Sequence, residues 1–151
     1  MTHIDELATI GTSTWLDDLS RERLDSGNLR ELLSTKSIVG VTTNPAIFAA
    51  AMSSGTSYDE DIAILREKGA HADEAVYSLA VEDVRNACDV FTEIFEQTDG
   101  RDGRVSIEVD PRISADAEAT LSQARELWAQ VDRPNLMLSL IHISEPTRLR
   151  R

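Results

Sequence analysis

Short runs of β-branched and apolar residues alternate with longer amphipathic stretches along this chain. The runs predict four strands, over residues 12–16, 38–42, 104–109 and 135–143. Strands that alternate with helices are typical of a parallel sheet, because each return to the same edge requires a crossover connection. The pattern therefore predicts an α/β fold with parallel strands that are adjacent in chain order.

Helices are predicted between these strands. Residues 20–35 form a helical stretch that begins at the capping residue Ser20 and breaks near Gly27, where Asn28 is the expected cap of a second, shorter piece. Further helices are predicted over residues 45–52, 58–68, 73–95 and 116–131. Each connection between strands is therefore expected to be helical.

The strongest helical periodicity lies between residues 73 and 95. Apolar residues recur there at intervals of three and four, namely Val76, Ala80, Val84, Ala87, Phe91 and Ile94. The spacing predicts one buried face, on which Cys88 is expected to be a small core residue rather than a nucleophile. In the next helix, Ser114 is the expected cap. We also expect Trp15 and Trp128 to belong to the core.

Composition and charge restrict the classes of function. The chain has 151 residues with 15 Lys and Arg against 27 Asp and Glu, a formal net charge of −12, which disfavours nucleic acid as a partner. No apolar run approaches the roughly 20 residues that span a bilayer. The acidic beginning, with Asp5 and Glu6, does not resemble a secretory signal. We expect one cytoplasmic domain without a membrane anchor, since its single cysteine suits a reducing compartment and its three histidines lack metal-ligand spacing.

Polar residues stand at the ends of three successive predicted strands: Asp17, Thr42 with Asn44, and Glu108. Functional groups of parallel α/β folds lie at the carboxyl ends of the strands. Each residue also has a structural explanation, because Asp17 and Asn44 can cap the helices that follow, and Glu108 can be exposed at the sheet rim. Spacing alone favours the structural explanation, so the catalytic interpretation needs further support.

Three segments resemble the first three strand motifs of bacterial transaldolases, especially the actinobacterial type. They are STWLDDL (13–19), GVTTNPAIF (40–48) and SIEVDPR (106–112). The resemblance implies a (β/α)8 TIM barrel that moves a dihydroxyacetone unit from sedoheptulose 7-phosphate to glyceraldehyde 3-phosphate through a Lys Schiff base, in the pentose phosphate pathway. It also implies sugar phosphates as small-molecule partners and no metal or organic cofactor.

The resemblance assigns roles by position. Asp17 matches the family's acid/base aspartate, and Glu108 matches the glutamate that works with a catalytic water. Asn44 matches the catalytic asparagine that hydrogen-bonds substrate hydroxyls, and Thr42 matches a polar, substrate-facing threonine of the barrel lining. Schiff-base aldol chemistry needs a neutral amine, a proton shuttle and fixed donors to the sugar. Of these requirements, the amine is the one the four residues do not meet.

The lysine is missing from its expected position on the fourth strand. After the Asn-Leu-Met triplet the family has an apolar residue and then the lysine, whereas this chain has Ser139 there. Its only lysines, Lys36 and Lys68, match no catalytic position. Residues 138–151 resemble a foreign, adapter-derived tail, although they are apolar enough to extend a strand beside the third. We therefore expect residues 1–137 to be the N-terminal half of a barrel, inactive alone.

Two other hypotheses remain at this point. One is a non-catalytic acidic α/β interaction module, which is weaker because the chain has no dedicated interaction motif. The other is a different Schiff-base aldolase on the same barrel, against which the Thr-Thr-Asn-Pro sequence of the second strand argues. If Asp17, Asn44 and Glu108 lay on different faces of the fold, the site assignment would fail. The oligomeric state and the range of acceptors are not defined by the sequence.

Overall fold

A four-stranded parallel sheet forms the centre of the structure, a computed structural model that describes residues 3–53 and 56–139. The strands are β1 (Thr14–Leu16), β2 (Ile38–Val41), β3 (Arg104–Glu108) and β4 (Leu136–Ser139). They lie in the order β1-β2-β3-β4, and every neighbouring pair is parallel. The prediction of parallel strands adjacent in chain order is therefore confirmed. The rest of the fourth predicted strand, residues 140–143, lies outside the described residues.

Helices connect the strands. In the described part of the chain they are α1 (His3–Thr9), α2 (Arg21–Asp25), α3 (Asn28–Thr35), α4 (Pro45–Ser53), α5 (Asp59–Glu67), α6 (Ala72–Gln97) and α7 (Ala117–Val131). The first was not predicted. The long α6 packs on β2 and β3, and α7 packs on β4. This open sheet of consecutive strand–helix units has the architecture of a partial (β/α)8 barrel. No helix in the two described ranges is long and apolar enough to cross a membrane.

Two predicted helix caps are wrong. Asn28 is the first residue of α3 rather than its cap, and Gly27 takes the cap position with a φ of 76°, a left-handed conformation that glycine adopts without a steric penalty. At α7 the cap is Asp116 rather than Ser114. The Asp116 carboxylate accepts a hydrogen bond from the backbone N–H of Ala119 at 2.9 Å. A carboxylate here also interacts favourably with the helix dipole.

The hydrophobic core lies between the sheet and α6. It is formed by apolar side chains from all layers, including Val41, Val84, Cys88, Phe91, Val105, Ile107 and Leu136. Cys88 is fully buried, as predicted. Gly103 allows the strand to approach α6 closely, because a Cβ there would lie 2.3 Å from the backbone nitrogen of Phe95. The close packing of β3 on α6 therefore depends on glycine at this position.

The prediction that Trp15 and Trp128 belong to the core is wrong for both residues. Leu127 is buried at the helix–sheet contact, whereas the side chain of Trp128 is 49% exposed. Adjacent residues on an α-helix point about 100° apart, so only one of the two can face the sheet directly. Trp15 is half-buried and lies on the other face of the sheet, away from α6.

Candidate active site

The carboxyl ends of the four parallel strands meet at one edge of the sheet. Asp17 follows β1, Thr42 follows β2, and Glu108 and Ser139 are the last residues of β3 and β4. All four line an open cavity of about 550 Å³. Its other lining residues are Trp15, Thr43, Asn44, Ser106 and Met137. The four residues predicted from the sequence, Asp17, Thr42, Asn44 and Glu108, are thus brought together on one face.

Strand alternation places these side chains in the cavity. On β3, Val105 and Ile107 are buried in the core, and Ser106 and Glu108 line the cavity. Successive side chains of a strand point to opposite faces of the sheet, so one strand supplies both surfaces. The same alternation occurs on β4, where Met137 and Ser139 line the cavity.

Asp17 is held by a hydrogen bond to the neighbouring strand end. The Thr42 hydroxyl donates to Asp17 Oδ1 at 2.5 Å, and the Thr42 backbone N–H donates to the carbonyl of Leu16 at 2.8 Å. The cap of α2 is Ser20, as predicted, since its hydroxyl accepts from the backbone N–H of Arg23. The carboxylate of Asp17 is therefore oriented toward the β2 end rather than used as a helix cap.

Asn44 caps a helix and also lines the cavity. Its Oδ1 accepts a hydrogen bond from the backbone N–H of Ile47 at 2.9 Å, which caps α4 behind Pro45, as the sequence predicts. Because Oδ1 is used in the cap, the Nδ2 amide is the group that Asn44 can offer as a donor to a ligand in the cavity.

Thr43 and Ser106 tie β2 to β3 beneath the site, and sequence reasoning missed both. The hydroxyl of Thr43, which is 2% exposed, donates to the carbonyl of Ser106 at 2.6 Å. The Thr43 backbone N–H donates to Ser106 Oγ at 3.3 Å. The sequence does contain a signal for Ser106. It lies two residues before Glu108 on the same strand, and side chains two residues apart on a strand face the same side of the sheet.

Trp15 forms part of the cavity wall. A Cβ at position 40 would lie 2.6 Å from the Trp15 ring, so Gly40 provides the space that the indole occupies. The indole is therefore part of the site's surface rather than of the helix-covered core.

The side chains of Ser139 and Glu108 make a long polar contact across the ends of β3 and β4. Ser139 Oγ lies 3.4 Å from Glu108 Oε1. Lys36 and Lys68 are exposed, just after the ends of α3 and α5, and neither is among the described lining residues. Within residues 3–53 and 56–139, no group of three or more His, Cys, Asp or Glu side chains could hold a metal ion.

Comparison with known proteins identifies relatives of this chain. The family profile described as Transaldolase/Fructose-6-phosphate aldolase matches residues 14–139. The chain is 54% identical to the transaldolase of Mycolicibacterium smegmatis and 56% identical to that of Mycolicibacterium paratuberculosis, each over 134 residues. The transaldolase of Mycobacterium ulcerans is 55% identical over the same length. Each match covers 89% of this chain but 36% of the relative.

Proposed function

The chain belongs to the transaldolase/fructose-6-phosphate aldolase family, and from that premise we propose that it carries the acid/base and hydroxyl-binding part of a transaldolase site. The supporting observation is the convergence of Asp17, Asn44 and Glu108 on one cavity at the carboxyl ends of the strands. The proposed whole-protein reaction transfers a dihydroxyacetone unit from sedoheptulose 7-phosphate to glyceraldehyde 3-phosphate through a Lys Schiff base. Sugar phosphates are thus its proposed partners.

The hydrogen bonds support a division of roles. Thr42 donates to one oxygen of Asp17, which leaves the other oxygen to exchange a proton with a substrate hydroxyl. The Nδ2 amide of Asn44 is proposed to donate to a second substrate hydroxyl, and Thr42 lies close enough to Asp17 to contact the same sugar. Glu108 is proposed to activate a water. General acid/base groups of this kind typically contribute about 10²–10⁴-fold in rate.

The Schiff-base step needs an amine that this chain lacks at the expected position. In that step a neutral amine attacks the carbonyl carbon, and the resulting carbinolamine loses water to form the imine. The hydroxyl of Ser139 cannot form an imine. We therefore propose that this chain is inactive alone, with residues 1–137 forming a partial transaldolase barrel and residues 138–151 forming a foreign tail.

We also propose a cytoplasmic location for the protein. The buried, unpaired Cys88 supports this location, since free thiols suit a reducing compartment.

The test of the proposed function restores the amine. Wild-type chain and the Ser139→Lys variant are incubated with fructose 6-phosphate and reduced with borohydride, and the modified residue is located by mass spectrometry. We expect no adduct on the wild type and an adduct at position 139 of the variant. Ser139→Arg is the matched control, because it adds a positive charge without a nucleophilic amine, and it should form no adduct.

Two outcomes would contradict the proposal. The first is a reduced adduct on Lys36 or Lys68 of the wild type together with turnover, which would place the chemistry elsewhere. The second is a folded Ser139→Lys variant that forms no adduct, which would favour a non-catalytic module. Resequencing the locus beyond codon 137 tests the tail separately: a lysine codon two positions after Met137 supports a foreign tail, and a serine codon contradicts it.

A further inference from the structure

A buried polar cluster, Arg21–Tyr58–Asp83, joins three helical elements next to the site. Asp83 on α6 is fully buried, and its two carboxylate oxygens accept hydrogen bonds from Arg21 Nε at 2.5 Å and from the Tyr58 hydroxyl at 2.7 Å. The Tyr58 oxygen also accepts the backbone N–H of Arg21 at 2.9 Å. The cluster therefore fixes both the side chain and the backbone at the first residue of α2.

The guanidinium of Arg21 is held in one orientation by several partners. Its Nη1 lies 2.5 Å from an oxygen of Asp61 on α5, and its Nη2 lies 3.2 Å from an oxygen of Glu82 on α6. Its central carbon lies 5.1 Å from the centre of the Tyr58 ring. Every nitrogen of the guanidinium has an acidic partner, so the side chain connects α2, α5 and α6 in a defined arrangement.

Only residues 17–20 separate β1 from this cluster. At one end, the carbonyl of Leu16 is bonded to Thr42. At the other end, Leu19 is fully buried and Ser20 caps α2. Asp17 and Tyr58 also line the same second cavity, of about 660 Å³. The position of Asp17 is therefore set by two anchors, one on the sheet and one at the start of α2.

We propose that the Arg21–Tyr58–Asp83 cluster positions the Asp17 carboxylate for proton transfer. This inference rests on the proposed function of Asp17, and it makes Arg21, Tyr58 and Asp83 positioning residues rather than catalytic ones. Stability alone is a weak reason for such a cluster, because a buried ion pair can often be replaced by apolar residues without loss of stability. A network with all its groups satisfied does specify one arrangement of the elements that it joins.

The test measures changes in the environment of the Asp17 carboxyl group by NMR. Wild type, Tyr58→Phe and Asp83→Asn are labelled with ¹³C at the aspartate carboxyl groups, and the Asp17 resonance is assigned with Asp17→Asn and followed through a pH titration. We expect the Asp17 resonance to shift or broaden, and its titration curve to change, in both cluster variants. A role in stability alone would lower the midpoint of unfolding and leave this resonance unmoved.

The matched control is Asp89→Asn. Asp89 also lies on α6 and pairs with an arginine, since Arg133 Nε is 2.5 Å from its carboxylate. This variant should leave the Asp17 resonance unchanged, and an equal effect in Asp89→Asn would overturn the proposal. If Asp83→Asn does not fold, Tyr58→Phe decides the question, because it keeps the ring and removes only the hydroxyl.

An Asp17 resonance that stays at its wild-type position in folded Tyr58→Phe overturns the positioning role. The measurement needs no turnover, so it is independent of the imine experiment. An unmoved resonance would leave the transaldolase proposal intact, and a failed imine experiment would leave the positioning result intact.

Discussion

On β3, Val105 and Ile107 face α6 with exposures of 0% and 2%, while Ser106 and Glu108, their immediate neighbours, face the cavity. The helix side of the sheet is apolar and closed, whereas the cavity side is open and carries polar side chains beside the apolar Trp15 and Met137. Burial of apolar surface contributes about 25 cal/mol per Å², so most of the stability is expected to come from the helix side. The polar groups on the cavity side are therefore expected to contribute less to stability and to fix the arrangement of the side chains around the cavity.

The hydrogen bonds on the cavity side differ in length. The Thr42 hydroxyl joins the ends of β2 and β1 through a 2.5 Å hydrogen bond to Asp17, and the Thr43 hydroxyl joins β2 to β3 through a 2.6 Å hydrogen bond to the carbonyl of Ser106. At the β3–β4 end, the oxygens of Ser139 and Glu108 are 3.4 Å apart, beyond the usual O–H···O range of about 2.5–3.0 Å. The tight contacts occur within the segments that resemble the family motifs, and the loose one occurs at the residue that departs from them.

The largest expected effect is on the helix side. Phe91 is fully buried in the core, so Phe91→Ala should lower the free energy of unfolding by about 3–5 kcal/mol. Urea denaturation followed by circular dichroism measures the change. Met137→Ala is the control from the cavity side, where the side chain is 37% exposed, and its loss should be much smaller. Similar losses for both variants would show that the two faces contribute equally.

A smaller loss is expected where the cavity side is tightly bonded. Thr43→Val keeps the shape of the side chain and removes the hydroxyl that donates to the carbonyl of Ser106. An unsatisfied buried group typically costs about 1–3 kcal/mol. Thr43→Ser keeps the hydroxyl and should recover part of the loss in the same urea experiment. If valine matched wild type, this hydrogen bond would have no net role in joining β2 to β3.

The free energy of unfolding should also depend on pH in the alkaline range, because the core contains a buried thiol. Burial raises the pKa of the Cys88 thiol to about 12, whereas a thiol in an unfolded chain titrates near 8.5. Between these values the unfolded state releases a proton that the folded state retains, so stability falls as pH rises. One such group contributes a slope of about 1.4 kcal/mol per pH unit.

Cys88→Ala tests this dependence. The free energy of unfolding is measured from pH 7 to pH 10, and the variant should lose the part of the slope that begins near pH 8.5 in the wild type. The comparison uses slopes, so the constant cost of the smaller side chain does not enter. Equal slopes in the two proteins would show that the thiol ionises over the same pH range in the folded and the unfolded state.

The parts of the fold that were predictable are those with a local signal. Strand alternation and helical periodicity identified the parallel sheet and the long α6, and the strand-end rule identified the positions of Asp17 and Glu108. Ser114 was a plausible cap by residue type, but Asp116 has the position from which a carboxylate reaches Ala119. The bond between Thr43 and Ser106 crosses 63 residues of sequence. A contact of that kind depends on which strands are neighbours and on their register, and a local pattern does not specify it.

The smallest expected effect concerns Ser139, at the loose end of the cavity. Its hydroxyl is half-buried and lies 3.4 Å from Glu108, so Ser139→Ala should change the free energy of unfolding by less than about 0.5 kcal/mol. The same urea experiment as for Thr43→Val measures it, and the contrast between the two variants separates the tight end from the loose end. A loss above about 1 kcal/mol would mean that the Ser139–Glu108 contact stabilises the sheet as an ordinary hydrogen bond does. The Ser139–Glu108 contact would then be equivalent in strength to the Thr43–Ser106 bond, and the serine would have a structural role of its own at the position where the resemblance implies a lysine.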